Sequence, residues 1–329
     1  MRKLPRVAIT TGDPAGVGPE LCLRLLDSPR VRAVCVPVVV GDAGVLRRVA
    51  RHLGWHEPRP VIGPDEAAAA EGPCVVDLKS LEAAAVEPGR VSAACGRAAY
   101  DAVVFAIDEV LTGTFDALAT GPLNKEALHL AGVPFPGHTE ILAHRTGASR
   151  ACMMLTSEAI TCSLVTAHVG LREVADLLSR ELVRETIELT ADAMRRLRGR
   201  EPRLVVCGLN PHAGEHGLFG RGEEERLIAP AVADARAAGI DVTGPLPPDT
   251  AFLPKYRAAT DAYVCMYHDQ GLIPLKALAF EQAVNVTLGL PLVRTSVDHG
   301  TAFDIAWRGV ADVSSFVRAV ELAATLCRD

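Results

Sequence analysis

The chain has 329 residues, more than one ordinary hydrophobic core holds, so two domains of roughly 100–200 residues each are expected. Apolar residues make up 49% of it and aromatics only 4%, which suits an Ala/Val/Leu-rich α/β core and excludes a disordered chain. A net charge of −6 argues against a nucleic-acid partner, so an anionic ligand has to be met by local cations.

Nine cysteines stand singly with no C-x-x-C pair, and they read as buried thiols of a reducing compartment. No apolar run approaches the ~18 residues of a membrane span, and the start carries no signal-peptide pattern; a cytoplasmic chain with no membrane contact is expected.

Strand-like and helix-like segments alternate throughout, the pattern of a mostly parallel sheet between helical layers. Strand patterns cover residues 6–10, 34–40, 74–78, 117–120, 152–155, 160–166, 203–209, 262–267 and 284–288. Long helical patterns cover residues 93–111, 180–197, 223–238 and 314–327. No low-complexity linker separates two halves, so the domains share the chain in an interleaved way. Crossing points are expected at Gly121-Pro122 and around Gly271–Phe280. That gives residues 1–122 plus 270–329 as one domain and 123–269 as the other.

The first strand runs into Thr10-Thr-Gly-Asp-Pro-Ala-Gly-Val-Gly-Pro-Glu20. This glycine-rich turn before a helix is either an anion cradle or a tight packing turn. Its spacing fits neither a dinucleotide fingerprint nor a P-loop. Next come Thr120-Gly-Pro-Leu-Asn-Lys125 and Pro136-Gly-His-Thr-Glu140. His138 and Thr139 open a helical pattern, where they can meet a phosphate alongside free N–H groups. Taken alone, Thr139 reads better as that helix's cap.

Three histidines then follow three β-branched runs: Thr-Ala-His168-Val-Gly-Leu, Asn-Pro-His212-Ala-Gly-Glu and Tyr-His268-Asp-Gln-Gly. Side chains at the carboxyl ends of strands gather in the ligand crevice of α/β proteins. Any one of these histidines reads as a turn residue, but three at three strand ends suit a divalent metal with a position left open for substrate. His216, four residues from His212, is excluded as its helical partner because Pro211 and Gly214 break any helix. His129, His144 and His216 are expected to be exposed. Farther on, Asp249 sits in a proline-fixed loop. Asp269, Lys276, Asn285, Arg294, Asp298 and His299 then punctuate apolar strands and glycine turns. Lysine is scarce in the chain, and Lys276 with Arg294 makes a natural phosphate anchor.

These blocks, in this order and spanning residues 7 to about 316, resemble the 4-hydroxythreonine-4-phosphate dehydrogenase family of vitamin B6 biosynthesis. The longest is Val284-Asn-Val-Thr-Leu-Gly-Leu-Pro-Leu-Val-Arg294, continuing as Thr295-Ser-Val-Asp-His-Gly-Thr-Ala302. The resemblance implies an isocitrate/isopropylmalate dehydrogenase-like fold of two α/β/α domains with a cleft between them, built as a homodimer. The second domain would carry much of the dimer interface.

It further implies metal ligation by His168, His212 and His268, shared between subunits, and substrate contacts from His138, Thr139, Lys276, Asn285 and Arg294. The implied reaction is oxidation of 4-phosphohydroxy-L-threonine by NAD or NADP to a β-keto acid. Loss of CO2 then gives 3-amino-2-oxopropyl phosphate. The metal would be zinc, magnesium, manganese or cobalt, and Asp249 and Lys125 are both candidates for the proton acceptor. Relatives of the same fold act on 4-phosphoerythronate or phosphothreonate, or on aromatic cis-dihydrodiols, and the turns around Lys125 and Lys276 look at least as much like the catabolic phospho-sugar-acid branch as like the biosynthetic one.

Overall fold

The computed structural model describes residues 4–148, 150–279 and 282–327. Phe280, the end of one expected crossing region, lies outside the described residues. The chain divides into two compact units, residues 1–150 with 290–329 and residues 151–289.

The first unit holds β1 (Arg6–Thr10), β2 (Val36–Gly41), β3 (Val61–Ile62), β4 (Cys74–Asp77) and β5 (Ala117–Thr120). The second holds β6 (Cys152–Thr156), β7 (Thr161–Leu164), β8 (Leu204–Cys207), β9 (Val242–Leu246), β10 (Ala262–Cys265) and β11 (Val284–Leu288). The chain then returns to the first unit through β12 (Arg294–Ser296). The crossings thus fall at 150/151 and 289/290, later than the expected 122/123 and 269/270. Packing is the reason. Helices Lys125–Leu130 and His138–Thr146 rest on helix Ala93–Leu111 of the first unit, while β11 pairs with β6 of the second.

In the first unit the strands run β3-β4-β2-β1-β5-β12, every pair parallel. Such strands are covered on both faces and read as apolar runs. Alternate residues Ala8, Val38, Val40, Val76 and Leu118 pack with Ala102, Val103, Ala106 and Ile107 of helix Ala93–Leu111. On the opposite face Thr295 Oγ1 donates to the Ala319 carbonyl of helix Ser314–Leu326, 2.8 Å away. The result is a helix–sheet–helix sandwich.

The second unit runs β11-β6-β7-β10-β8-β9. β6 is antiparallel to both neighbours, and β7, β10, β8 and β9 are parallel. Cys162, Leu164, Val205, Cys207, Tyr263 and Cys265 form its core with Leu272 and Leu275. None of the nine cysteines is in a disulfide; eight are buried and Cys327 is half-buried.

Candidate active site

β7, β10 and β8 lie side by side and parallel, so the turns that leave them emerge together at their carboxyl ends. His168 follows β7, His268 follows β10 and His212 follows β8. Hydrogen bonds stitch the three turns together. Thr166 Oγ1 donates to the Met266 carbonyl at 2.8 Å, which ties the His168 turn to the His268 turn. Buried Gln270 accepts from Met266 N through Oε1 and donates through Nε2 to the Gly208 carbonyl, both at 2.7 Å, which ties in the His212 turn.

The His168 and His268 rings stand 5.8 Å apart, centroid to centroid. They share a pocket of about 480 Å³ with Val169, Leu171, Tyr267 and Ile273. His268 was expected in a turn, but it opens helix His268–Ala279, which runs on through Gly271 and Pro274. Its Nδ1 lies 2.7 Å from Asp269 Oδ1. A carboxylate at Nδ1 leaves Nε2 as the outward-facing donor atom, the usual arrangement behind a metal-bound imidazole.

His212 sits differently. Residues 212 to 217 form an unbroken left-handed run, with φ of 55°, 52°, 79°, 42°, 56° and 85°. Only Gly214 and Gly217 in that run take such a backbone at no steric cost. The other four cost at least ~1 kcal/mol each, so the surroundings have to impose the turn. The residues just ahead of that run are bonded to Glu224, which is 2% exposed. Its Oε1 accepts from Leu209 N at 2.9 Å and Asn210 N at 2.7 Å, and its Oε2 accepts from Asn210 Nδ2 at 2.9 Å. Glu223 Oε2 takes the same Asn210 amide at 3.0 Å and Arg221 N at 2.7 Å.

The His212 ring faces Phe219 at 6.1 Å, and His216 is exposed. Among the described residues no three His, Cys, Asp or Glu of one chain are grouped so as to hold a metal ion. Neutral imidazoles are the right donors for a borderline divalent metal. Among the described residues of one chain the His168 and His268 rings stand together, while the His212 ring lies against Phe219.

The first unit carries the anion-binding candidates. Arg294 at the start of β12 is 4% exposed, and its Nη2 donates to Thr120 Oγ1 at 2.8 Å. Burial pushes its guanidinium down to about 10. His138 is the first residue of helix His138–Thr146, and its Nε2 is buried without a hydrogen-bond partner. Burial above all, and then neighbouring Arg294, hold its imidazole well below the usual histidine range, so it is neutral at neutral pH. Thr139 does not cap this helix as the residues alone suggested. The N-cap is Gly137, with no side-chain cap bond, so Thr139 is exposed in the first turn.

Lys276 is half-buried in helix His268–Ala279. Asn285 on β11 buries an Oδ1 that has no hydrogen-bond partner. Asp249 lies exposed in the single turn Pro248–Ala251, and exposed Lys125 opens helix Lys125–Leu130 behind its Asn124 cap. The glycine-rich turn proves to be a packing turn. Its amides at 13, 15, 16 and 17 bond to Pro122 O, Asp13 Oδ1, Asp13 O and Thr301 O. A Cβ on Gly12 would stand 2.3 Å from the Pro122 carbonyl.

Gln270 and Asn210 stand within the histidine motifs, but their amide side chains bond to backbone and carboxylate groups far along the chain, which no local motif reports. Glu224 lies inside a helical pattern and acts on backbone amides, so no side-chain pattern announced it.

Ligand sites of α/β proteins gather at the carboxyl ends of strands, which is where the second unit places its three histidine turns. The model of the family described as pyridoxal phosphate biosynthetic protein PdxA matches residues 33–323. The chain is 45% identical over 326 residues to a 4-hydroxythreonine-4-phosphate dehydrogenase of Desulforapulum autotrophicum, covering 97% of this chain and 95% of that one. It is also 45% identical over 325 residues to a D-threonate 4-phosphate dehydrogenase of Cupriavidus necator, covering 98% and 97%. A crystal structure of 4-hydroxythreonine-4-phosphate dehydrogenase from Klebsiella pneumoniae superposes with a TM-score of 0.88 at 42% identity, covering 99% of each chain. The chain belongs to the PdxA family and is an oxidoreductase.

Proposed function

We propose that the chain oxidises the C3 alcohol of a four-carbon, 4-phosphorylated hydroxy acid, with NAD or NADP as hydride acceptor. The first choice of substrate is 4-phosphohydroxy-L-threonine, in pyridoxal phosphate biosynthesis. Hydride leaves C3 for the nicotinamide and the hydroxyl proton leaves for a base, which gives a β-keto acid. The carboxylate then departs as CO2, and the enolate it leaves takes up a proton at C2 to give 3-amino-2-oxopropyl phosphate. One observation carries this reading: Arg294 is buried beside neutral His138 at a helix start. A phosphate dianion suits that place, because a desolvated guanidinium gains more from an anion than an exposed one.

Lys276, Asn285 and Thr139 are the further substrate contacts of this reading, with Asp249 or Lys125 as proton acceptor. His168, His212 and His268 would hold one zinc, magnesium, manganese or cobalt ion, which when bound polarises the reacting oxygen. This reading shares the site between the two subunits of a homodimer, with the unit of residues 151–289 carrying much of the interface. Supporting that interface, Leu171, Leu218 and Ile273 beside the histidine turns are 73%, 70% and 67% exposed. Exposed apolar side chains gathered near a site mark an interaction surface. A cytoplasmic enzyme without a nucleic-acid or membrane partner completes the reading. In the structure itself, no helix among the described residues is long and apolar enough to cross a membrane.

The equal likeness to the D-threonate 4-phosphate enzyme favours a second substrate, which differs only in a hydroxyl for the amine at C2. The test is nicotinamide reduction by metal-loaded protein with both acids and with an aromatic cis-dihydrodiol. The expected result is turnover of one phosphorylated acid in clear preference. Arg294→Ala should weaken its binding by about 1.5–3 kcal/mol, roughly ten- to a hundredfold. Reduction with the dihydrodiol alone, or an Arg294→Ala variant with unaltered KM, defeats the reading.

A further inference from the structure

We propose that Glu224 is a positioning residue of the active site: by gripping the two backbone amides and the side chain at its root, it holds the left-handed turn that sets the His212 imidazole. The inference rests on the reading above in one respect, that His212 belongs to the site.

The geometry argues for a dedicated clamp. The turn leaves β8 and closes on itself through left-handed three-residue steps: Glu215 N to His212 O at 3.4 Å, Gly217 N to Gly214 O at 3.0 Å and Leu218 N to Glu215 O at 3.3 Å. Bonds of that length and number do not account for four non-glycine residues in the left-handed region. The carboxylate of Glu224 reaches in from outside the turn and spans its start. Leu209 N, Asn210 N and Asn210 Nδ2 all converge on its two oxygens.

Space is reserved for this contact. A Cβ on Gly214 would lie 2.8 Å from Glu224 Oε2, one on Gly208 would lie 3.2 Å from Glu224 Oε1, and one on Gly220 would lie 2.2 Å from Asn210 Nδ2. Glu224 itself opens a single π-helical turn, Glu224–Ile228, ahead of helix Ala229–Ala237. Such wide turns recur at functional sites because they re-aim a side chain. Glu223, by contrast, ties Asn210 to Arg221 and closes the loop that returns from the turn.

The experiment compares Glu224→Ala, Glu224→Gln and His212→Ala with the parent protein. Backbone hydrogen exchange is followed over residues 209–219, and kcat and KM are measured with the phosphorylated acid the enzyme turns over. Glu224→Ala should speed exchange in that segment alone. It should lower kcat by about 10- to 100-fold, the scale for partners that orient a site ligand, and leave KM nearly unmoved. Glu224→Gln keeps an acceptor for the two backbone amides but turns an NH2 towards Asn210 Nδ2. It should fall between parent and Ala, and it keeps the test alive where the Ala variant does not fold. A residue that only stabilises the fold would lower the amount of folded protein and leave its kcat alone. Parent-like exchange and kcat in Glu224→Gln and Glu224→Ala, with His212→Ala inactive, overturn the proposal and leave the site reading intact. A fully active His212→Ala removes His212 from the site and the proposal with it.

Discussion

Asp13 carries a carboxyl that is 1% exposed, with Oδ2 buried and without a hydrogen-bond partner. Burial pushes it up to about 6, against the single opposing bond from Ala15 N to Oδ1. Because the folded-state value is raised from 3.8, the native state holds a proton that the unfolded chain releases between the two values. Stability contributed by this group therefore falls as pH rises through that window and stays lost above it. Two units correspond to about 3 kcal/mol. Asn at this position keeps the acceptor for Ala15 and removes the ionisation, though its NH2 is left without a partner. A gain of about 1–2 kcal/mol is expected at about pH 8, with none at about pH 4. Calorimetric midpoints at the two pH values check it, and an equal shift at both would show that ionisation is not the cause.

Glycines set how closely elements approach one another as much as large side chains do. Gly96, in the first turn of helix Ala93–Leu111, lies so close to helix Lys125–Leu130 that a Cβ would fall 2.0 Å from the Ala127 carbonyl. Ala is the better helix former by about 1 kcal/mol, yet a backbone clash of that size cannot be relieved by a rotamer change. Gly96→Ala should lower stability by about 1–3 kcal/mol net in urea titrations and shift the helix that carries Lys125. Gly54→Ala, where nothing lies within 4 Å and the only cost is a φ of 68°, makes the control. A Gly96→Ala variant as stable as the parent would show that the two helices yield to the methyl and that the close approach does not reserve the position for glycine.

At this scale the sequence was legible where periodicity is strong. Residues 93–111 and the strands at 6–10, 117–120 and 284–288 fold as their patterns say. It was silent at β3 and β12, two and three residues long, and at β9, whose Gly244-Pro245 reads as a turn. Helix His268–Ala279 was hidden by Gly271 and Pro274, residues that normally end a helix; packing of Leu272 and Leu275 into the core overrides them. The three histidine turns were visible in the motifs, because each follows a β-branched run. The bonds that align them run between segments about 60 to 100 residues apart, through Gln270 and Thr166, and no local pattern reports such contacts.

Over the whole molecule, the proposed sharing of a metal between two subunits is testable by dilution. A metal shared between subunits exists only in the dimer, so turnover and bound metal should fall together as the protein is diluted through its dissociation range. A chelator should lower both the thermal midpoint and the sedimentation mass, because ligation stabilises whichever state binds the ion. Analytical ultracentrifugation with activity measured at the same concentrations decides it. A monomer with full turnover would rule out a site shared between subunits.

The thiols described with the fold give the protein a built-in clock. Eight of nine are buried and so screened from a reagent, and burial pushes Cys74 up to about 11 and Cys152 up to about 12, so those two are also slow to form the reactive thiolate. Cys327 alone is partly exposed, near the end of the chain. A maleimide dye offered briefly to native protein should therefore mark one place. Each further equivalent taken up afterwards counts a molecule that has opened, and the cysteine that reacts tells which half opened first: Cys22, Cys35, Cys74 and Cys95 lie in the first unit, and Cys152, Cys162, Cys207 and Cys265 in the second.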